Sequence, residues 1–561
     1  LISTGIELIL ICIKITQNFS KQTLATPQGY MLKYFLIIFM SAAVLPLYSY
    51  GQYIPLENRF YDVIMQKYQE NNISLISSMK PLLMQEMDSV ADIENALYQV
   101  PGNSKHKNTF VYRKLFSENL IRYSTKEFSI TADPVFDFGI GYDFKESKNT
   151  WINTRGLTLT GMIGHKFSFN TELYENQAVF ASWPAAFISA TGVAPGQGAV
   201  KAFKDNGVDF FYSNGYLSYS PSKFFNMTMG YGKNFIGEGY RSMILSDASF
   251  SYPYLKLTGN LKNVKYTVLY NQFIDRSSTL SPEFGMDRKW ATMHYLQVML
   301  WGRLNLGLFD AIVWENADST GHRGFDVQYL NPIILLRPVE ESFGSPDNAL
   351  VGSTFSVRIN KHFNVYGQLI LDEFKLSEMT ANSGWWANKF GYQLGVSGWN
   401  LFNIPSLNAR IEYNQARPYT YAHGVTIEAY GHYNQPLAHP LGANFREFIG
   451  MGSYTMGNWM ATIKMNFAMY GVDTAGKDFG KNVFISYDHR VSEYGNEIGQ
   501  GLKTNLTTAD VCLSYLLNRR TNMRIEAGIT TRKENNKDWD KQMQYIYFGI
   551  RTGLRNIYYD F

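Results

Sequence analysis

The sequence is poor in cysteine, in charge and in long apolar runs, and each shortage removes a class of protein. Cys12 and Cys512 are its two cysteines in 561 residues, too few for a disulfide-stapled scaffold or a cysteine-built metal centre. Cys12 falls in a stretch expected to be missing from the mature protein, which would leave one thiol and no internal disulfide. Charged residues make up only 17%, and the net charge of +4 is too small a balance to argue for a nucleic-acid partner. Beyond residue 51 no stretch stays apolar for the roughly 18 residues that mark a membrane-spanning helix, which excludes a helical membrane protein.

What the chain does have is aromatic residues and glycine. Aromatics reach 16%, with 39 Tyr and 38 Phe, beside 46 Gly. Such a composition without long apolar runs fits a transmembrane β-barrel better than a soluble enzyme; a large soluble all-β protein is the alternative. Export is written near the start. Met31-Leu32-Lys33 opens a basic stretch, Tyr34 to Tyr48 is apolar, and Ser49-Tyr50-Gly51 puts small residues before Gln52. That order is a secretory signal peptide, residues 31–51. Residues 1–30 hold no methionine and precede a complete signal, so they read as an upstream misannotation.

Two periodicities divide the rest. Residues 52–126 space their apolar residues at three and four, as in FYDVIMQKYQENN and RKLFSENLIRYS, and read as a helical periplasmic or plug segment. From 127 to 561 the period is two, as in FDFGIGYDF, KYTVLYNQFID and NWMATIKMNFAMYG. Runs of about 9–11 residues cross a membrane as tilted strands. Tight connections (260–263, 303–305, 518–521) alternate with long ones (183–207, 276–288, 316–349, 417–445, 493–506). The fold class expected is therefore all-β: an outer-membrane barrel of about 18 antiparallel strands, with a range of 16–20. The closing run QYIYFGIRTGLRNIYYDF reads as a last strand that ends on Phe561, with Ile557 and Tyr559 on the same face. A terminal aromatic of that kind resembles the recognition signal of the barrel assembly machinery.

Chemical motifs are few. In GYGKNFIGEGYRS (230–242) Gly232 and Gly237 have the separation of a phosphate loop, but Glu238 stands where the lysine belongs and would repel phosphate. His423, His432 and His439 are nine and seven residues apart, which matches no metal-ligand spacing; they read as residues hydrogen-bonded within an ordered loop. Glu340 could work as an acid/base with Glu341, yet adjacent strand residues point to opposite faces, and a pairing with Arg337 is the simpler reading. No nucleophile elbow is present, so no enzyme, cofactor or metal is expected. Most aromatics should form interface girdles. A minority in long loops, Trp183, Trp290, Trp385, Trp386, Tyr419 and Tyr421, could stack on sugar rings.

One stretch carries a resemblance. Gly237 and Gly239, Ser242, Leu245-Ser246 and Pro253, together with the segments 322–352 and 419–448, resemble the capsule-assembly Wzi family of outer-membrane proteins, in its RemB-type gliding-motility branch. Phe235-Ile236 stand where other members carry a tryptophan pair. The resemblance implies a helical segment before a barrel of about 18 strands, placed in the outer membrane of a Gram-negative cell. It implies a non-enzymatic role in surface polysaccharide assembly or attachment, or in gliding and adhesion, with polysaccharide, surface motility proteins and outer-membrane lipid as partners. Candidate binding residues are Glu238, Arg241, Ser242, Arg337, Glu340, His423, His432, His439, Glu447, Trp385 and Trp386. The competing function is a channel passing solute through the lumen.

Overall fold

Alternation at period two gives each segment one lumenal and one outward face, and a sheet of such segments must close to leave no unpaired edge in lipid. The computed structural model describes residues 52–87, 93–98, 109–276, 286–318, 321–332, 334, 347–373, 375–474 and 476–561. The signal peptide, Arg337, Glu340 and Glu341 lie outside them.

The sheet is a closed antiparallel barrel of 18 strands. In chain order these are β1 (Phe128–Asp143), β2 (Lys148–Ile163), β3 (Phe167–Val179), β4 (Gly207–Ser222), β5 (Phe225–Gly232) and β6 (Tyr252–Leu261). They continue as β7 (Val264–Asp275), β8 (Asp287–Leu300), β9 (Leu304–Glu315), β10 (Asn348–Arg358), β11 (Phe363–Glu373) and β12 (Lys389–Gly398). The last six are β13 (Leu407–Ala416), β14 (Phe445–Met456), β15 (Trp459–Val472), β16 (Leu502–Asn518), β17 (Met523–Asn535) and β18 (Asp540–Thr552). Closure is made by β18 on β1, with Ile550 opposite Phe138 and Tyr545 opposite Asp143. Outward residues such as Ile140, Leu173, Phe211, Leu308, Val511 and Phe548 are exposed, the apolar belt that lipid requires.

Short turns gather at one end of the barrel, as at 223–224, 262–263 and 457–458, and the long loops 180–206, 233–251, 316–347, 417–444 and 473–501 at the other. In barrels of this kind the short turns are periplasmic. The loop from 473 begins well before the expected 493. On the outer wall, Phe325 and Tyr329 of the loop after β9 pack on Trp314, and Phe325 also on Trp290. Trp290 is thus a strand residue covered by protein.

The lumen is filled. Helix α1 (Asn58–Glu70) starts where the Glu57 carboxylate accepts from the Arg59 N–H, and it buries Phe60, Tyr61, Ile64 and Tyr68 at helical spacing against Ile93 and Leu97 of α2 (Ile93–Tyr98). It is fixed to the short-turn end by Arg410–Asp62, Gln66–Asn400 and Glu57–Arg524. The chain then rises inside the barrel, where Met79-Lys80 pairs with Phe235-Ile236.

The closing run departs from expectation. Strand β18 ends at Thr552, and residues 553–561 leave the wall and run up the lumen. Asn556 bonds Leu56 near the short-turn end. Phe561 packs at the far end against Trp183 and Phe187 of a helix, Ser182–Thr191, in the loop after β3. Ile557 and Tyr559 are therefore not on the face of a wall strand. The alternation simply continues past the last ladder bond, because buried partners inside the barrel suit the same residues as the wall does.

Candidate functional site

The centre of the lumen is built around residues 233–251, every one of which is buried from Asn234 to Ser251. Ser242 staples this loop: its hydroxyl donates to the Ile236 carbonyl at 2.6 Å and accepts from the Ile244 and Leu245 N–H groups, both at 3.1 Å. The wall meets the loop through two side chains. Gln368 of β11 donates to the Ile236 carbonyl and accepts from the Met243 N–H. Glu412 of β13 accepts from the consecutive N–H groups of Tyr240 and Arg241, at 2.8 and 3.1 Å. These approaches need the glycine pair. Gly237 has φ of +146° and a Cβ there would strike the Gln368 amide, while one on Gly239 would strike the Glu412 carboxylate. The glycines serve a close backbone approach, not a phosphate.

Arg241 gathers charge from three elements. Its Nη2 lies 3.3 Å from Glu447 of β14 and 3.0 Å from Asp560 of the tail, and the guanidinium stands over the rings of Tyr240 and Tyr558. Lys464 of β15 reaches Asp560 at 3.1 Å, and His439 bonds Glu447 at 2.6 Å. Burial opposes every charge here. Asp560 and Glu447 override it at Arg241 and raise its pKa; Arg241 and Lys464 override it at Asp560 and hold that carboxyl below the usual range. A buried carboxylate pair with matched cations binds segments together. Glu238 sits apart from this group, accepting from the Ser77 and Ser78 hydroxyls at 2.6 and 2.8 Å.

The three histidines do not meet. His423 lies 3.2 Å from Glu428, His439 faces Glu447, and His432 accepts from the Ile274 N–H at Nδ1 with Nε2 3.1 Å from the Ser251 carbonyl. Each fixes a different part of the loop 417–444, the lid over the central segment. Burial, then Asp347, pushes Glu428 up to about 8. Among the described residues no group of three or more His, Cys, Asp or Glu could hold a metal ion.

Above the lid, at the long-loop end, is an aromatic and cationic cluster. Trp386 packs on Tyr487 with ring centroids 4.7 Å apart and meets Tyr419 edge-on. Arg490 covers Trp386 at 4.2 Å and Lys389 covers Tyr487 at 4.7 Å. Trp385 and Trp386 are half-buried, and their loop is tied to its neighbour by Trp386 N–H to Glu493 O and Asn496 N–H to Gly384 O. The structure thus sends Glu238, Arg241, Ser242, His432, His439 and Glu447 to the interior, and Trp385, Trp386 and His423 to the outer end. Sequence reasoning missed Tyr487, Arg490, Lys464 and Asp560. Asp560 carried no signal, since its partner Arg241 is 319 positions away.

Comparison with known proteins gives a fold and no more. No family model and no curated protein matches the chain. Among solved structures, Wzi of Escherichia coli, titled an outer-membrane protein involved in group 1 capsule assembly and a carbohydrate-binding β-barrel, is 14% identical with a TM-score of 0.53, covering 89% of this chain and 99% of that one. OprD of Pseudomonas aeruginosa (8% identity, TM-score 0.41, 75% and 94% covered) and OccAB2 of Acinetobacter baumannii (13%, 0.40, 75% and 96%) are looser likenesses that carry no argument. The chain is an 18-strand barrel of outer-membrane type that shares its fold with Wzi.

Proposed function

We propose that this protein sits in the outer membrane, exported by the signal at 31–51, and works at the cell surface by binding, not by catalysis. Its ligand is surface polysaccharide, held for capsule assembly or attachment. The observation that carries the reading is the Trp386–Tyr487–Arg490 cluster set over a lumen closed by protein. Aromatic faces stack on the apolar faces of sugar rings, and Arg490, ion-paired with Glu493, and Lys389, ion-paired with Asp372, hold the cluster in place. The RemB-type reading, in gliding or adhesion, uses the same surface with a protein or glycan partner.

The test is retention. Trp386→Ala combined with Arg490→Ala should lower the polysaccharide held on cells while the barrel still inserts and shows heat-modifiable gel mobility. Unchanged retention with normal insertion would refute the assignment. The transport reading has one observation in its favour, a polar cavity at the short-turn end, but His439–Glu447, Arg241–Asp560 and the Ser242 staple stand between that cavity and the outer loops.

A further inference from the structure

Below the central segment is a cavity of about 600 Å³, within the ~300–1,000 Å³ range of small-molecule sites. One wall is the lumenal face of β1 to β4, and strand register fixes what that face presents. One rung runs Thr131, Thr160, Asn170, Tyr216, each directly opposite the next. The adjacent rung runs Asp133, Thr158, Glu172, Asn214. Neighbouring strands lie about 4.8 Å apart, so the two rungs form a lattice of hydroxyl, amide, carboxylate and phenol groups. All eight line the cavity. Opposite them, Tyr53 meets Tyr216 edge-on at 5.1 Å. The upper end is closed by Arg555, stacked over Tyr174 and Tyr212 at 4.4 and 3.9 Å, and by Lys233, which donates to the Gly196 and Asp247 carbonyls. At the short-turn end stand Arg122, Ser124 and Arg520.

We propose that this cavity is a periplasm-facing binding site for a neutral, hydroxyl-rich ligand of one or two sugar rings. A sugar ring offers a donor and acceptor on nearly every carbon, and a two-rung lattice with planar Asn170, Glu172 and Asn214 side chains answers that density of groups. Tyrosine rings supply the apolar contact. Anionic ligands fit less well. Asp133 and Glu172 face the cavity, Lys233 is held by two carbonyls, and Arg555 gives Nη2 to Gln197 at 2.8 Å while its Nη1 has no partner among the described residues. The lattice keeps some bonds of its own, Asn170 to Thr160 and Tyr174 to Glu172, and a purely apolar ligand would leave its remaining donors and acceptors unused. The site lies on the other side of the central segment from Trp386, so it stands or falls independently of the surface-glycan reading.

The full-length protein in detergent micelles is titrated with maltose, cellobiose, diacetylchitobiose, glucuronate and inorganic phosphate, each followed by saturation-transfer NMR. At least one neutral disaccharide should give a saturable signal. Thr158→Trp, which fills the cavity in front of the rungs, should abolish it, and Glu172→Gln should weaken it about tenfold, the equivalent of one hydrogen bond. Heat-modifiable mobility reports whether each variant is folded; if Thr158→Trp does not assemble, Glu172→Gln decides. The proposal is overturned if no neutral disaccharide binds, if only glucuronate or phosphate binds, or if folded Glu172→Gln binds as the parent does.

Discussion

Replacing Arg241 with Met would remove the cation shared by Glu447 and Asp560, which its guanidinium reaches at 3.3 and 3.0 Å, and leave them to His439 and Lys464. Breaking a buried pair from one side costs about 3–5 kcal/mol, so the urea midpoint of the detergent-solubilised barrel should fall sharply. Arg241→Lys should rescue only part of this, because an ammonium could meet both carboxylates as Nη2 does but lacks the planar guanidinium that lies over the rings of Tyr240 and Tyr558. A midpoint unchanged by Arg241→Met would remove this contact from the account. His432 gives a pH signature. Its Nδ1 accepts from Ile274, which requires a neutral ring, and burial lowers its pKa to about 3, against about 6.5 in an unfolded chain. Between those values the unfolded state binds one more proton. Its contribution is therefore complete above about pH 6.5 and is lost as pH falls toward 3, at about 1.4 kcal/mol per pH unit. His432→Gln should flatten the acid side of the stability profile by that slope; identical slopes would contradict the assignment. At this scale the sequence was half legible. The glycines 237 and 239 stood out in the sequence, but the amide and carboxylate they make room for lie on β11 and β13, and nothing local names them.

Among elements, the wall was the legible part. Period-two alternation is set by neighbours in the chain, so strands such as Tyr252–Leu261 and Trp459–Val472 can be read without knowing their partners. The tail was not, because GLRNIYYDF suits a buried interior as well as a strand. Its contacts now separate two roles. Residues 553–561 supply partners to Arg241, to Asp247 through Tyr558 and Asn556, and to Arg532 through the Phe561 carbonyl, while β18 closes on β1 without them. Truncation after Thr552 should leave a closed, heat-modifiable barrel that unfolds at markedly lower urea. Failure to assemble at all would instead place an assembly signal within residues 553–561, the stretch in which the sequence analysis singled out Phe561.

The whole molecule is a closed barrel whose interior is filled by its own chain. Among the described residues, the stretches that fill it include the segment with α1, residues 233–251, the lid 417–444 and the tail. Each is fixed to the wall by charged or amide side chains. Such a body suits presentation of a rigid outer surface, with the cavity lined by residues of the short-turn end behind it. Single-channel recording of the purified protein in planar lipid bilayers tests this most directly. A sealed lumen predicts a flat baseline with no sustained conductance at either polarity. A steady, ion-selective open level from the intact chain would contradict the account and favour transport.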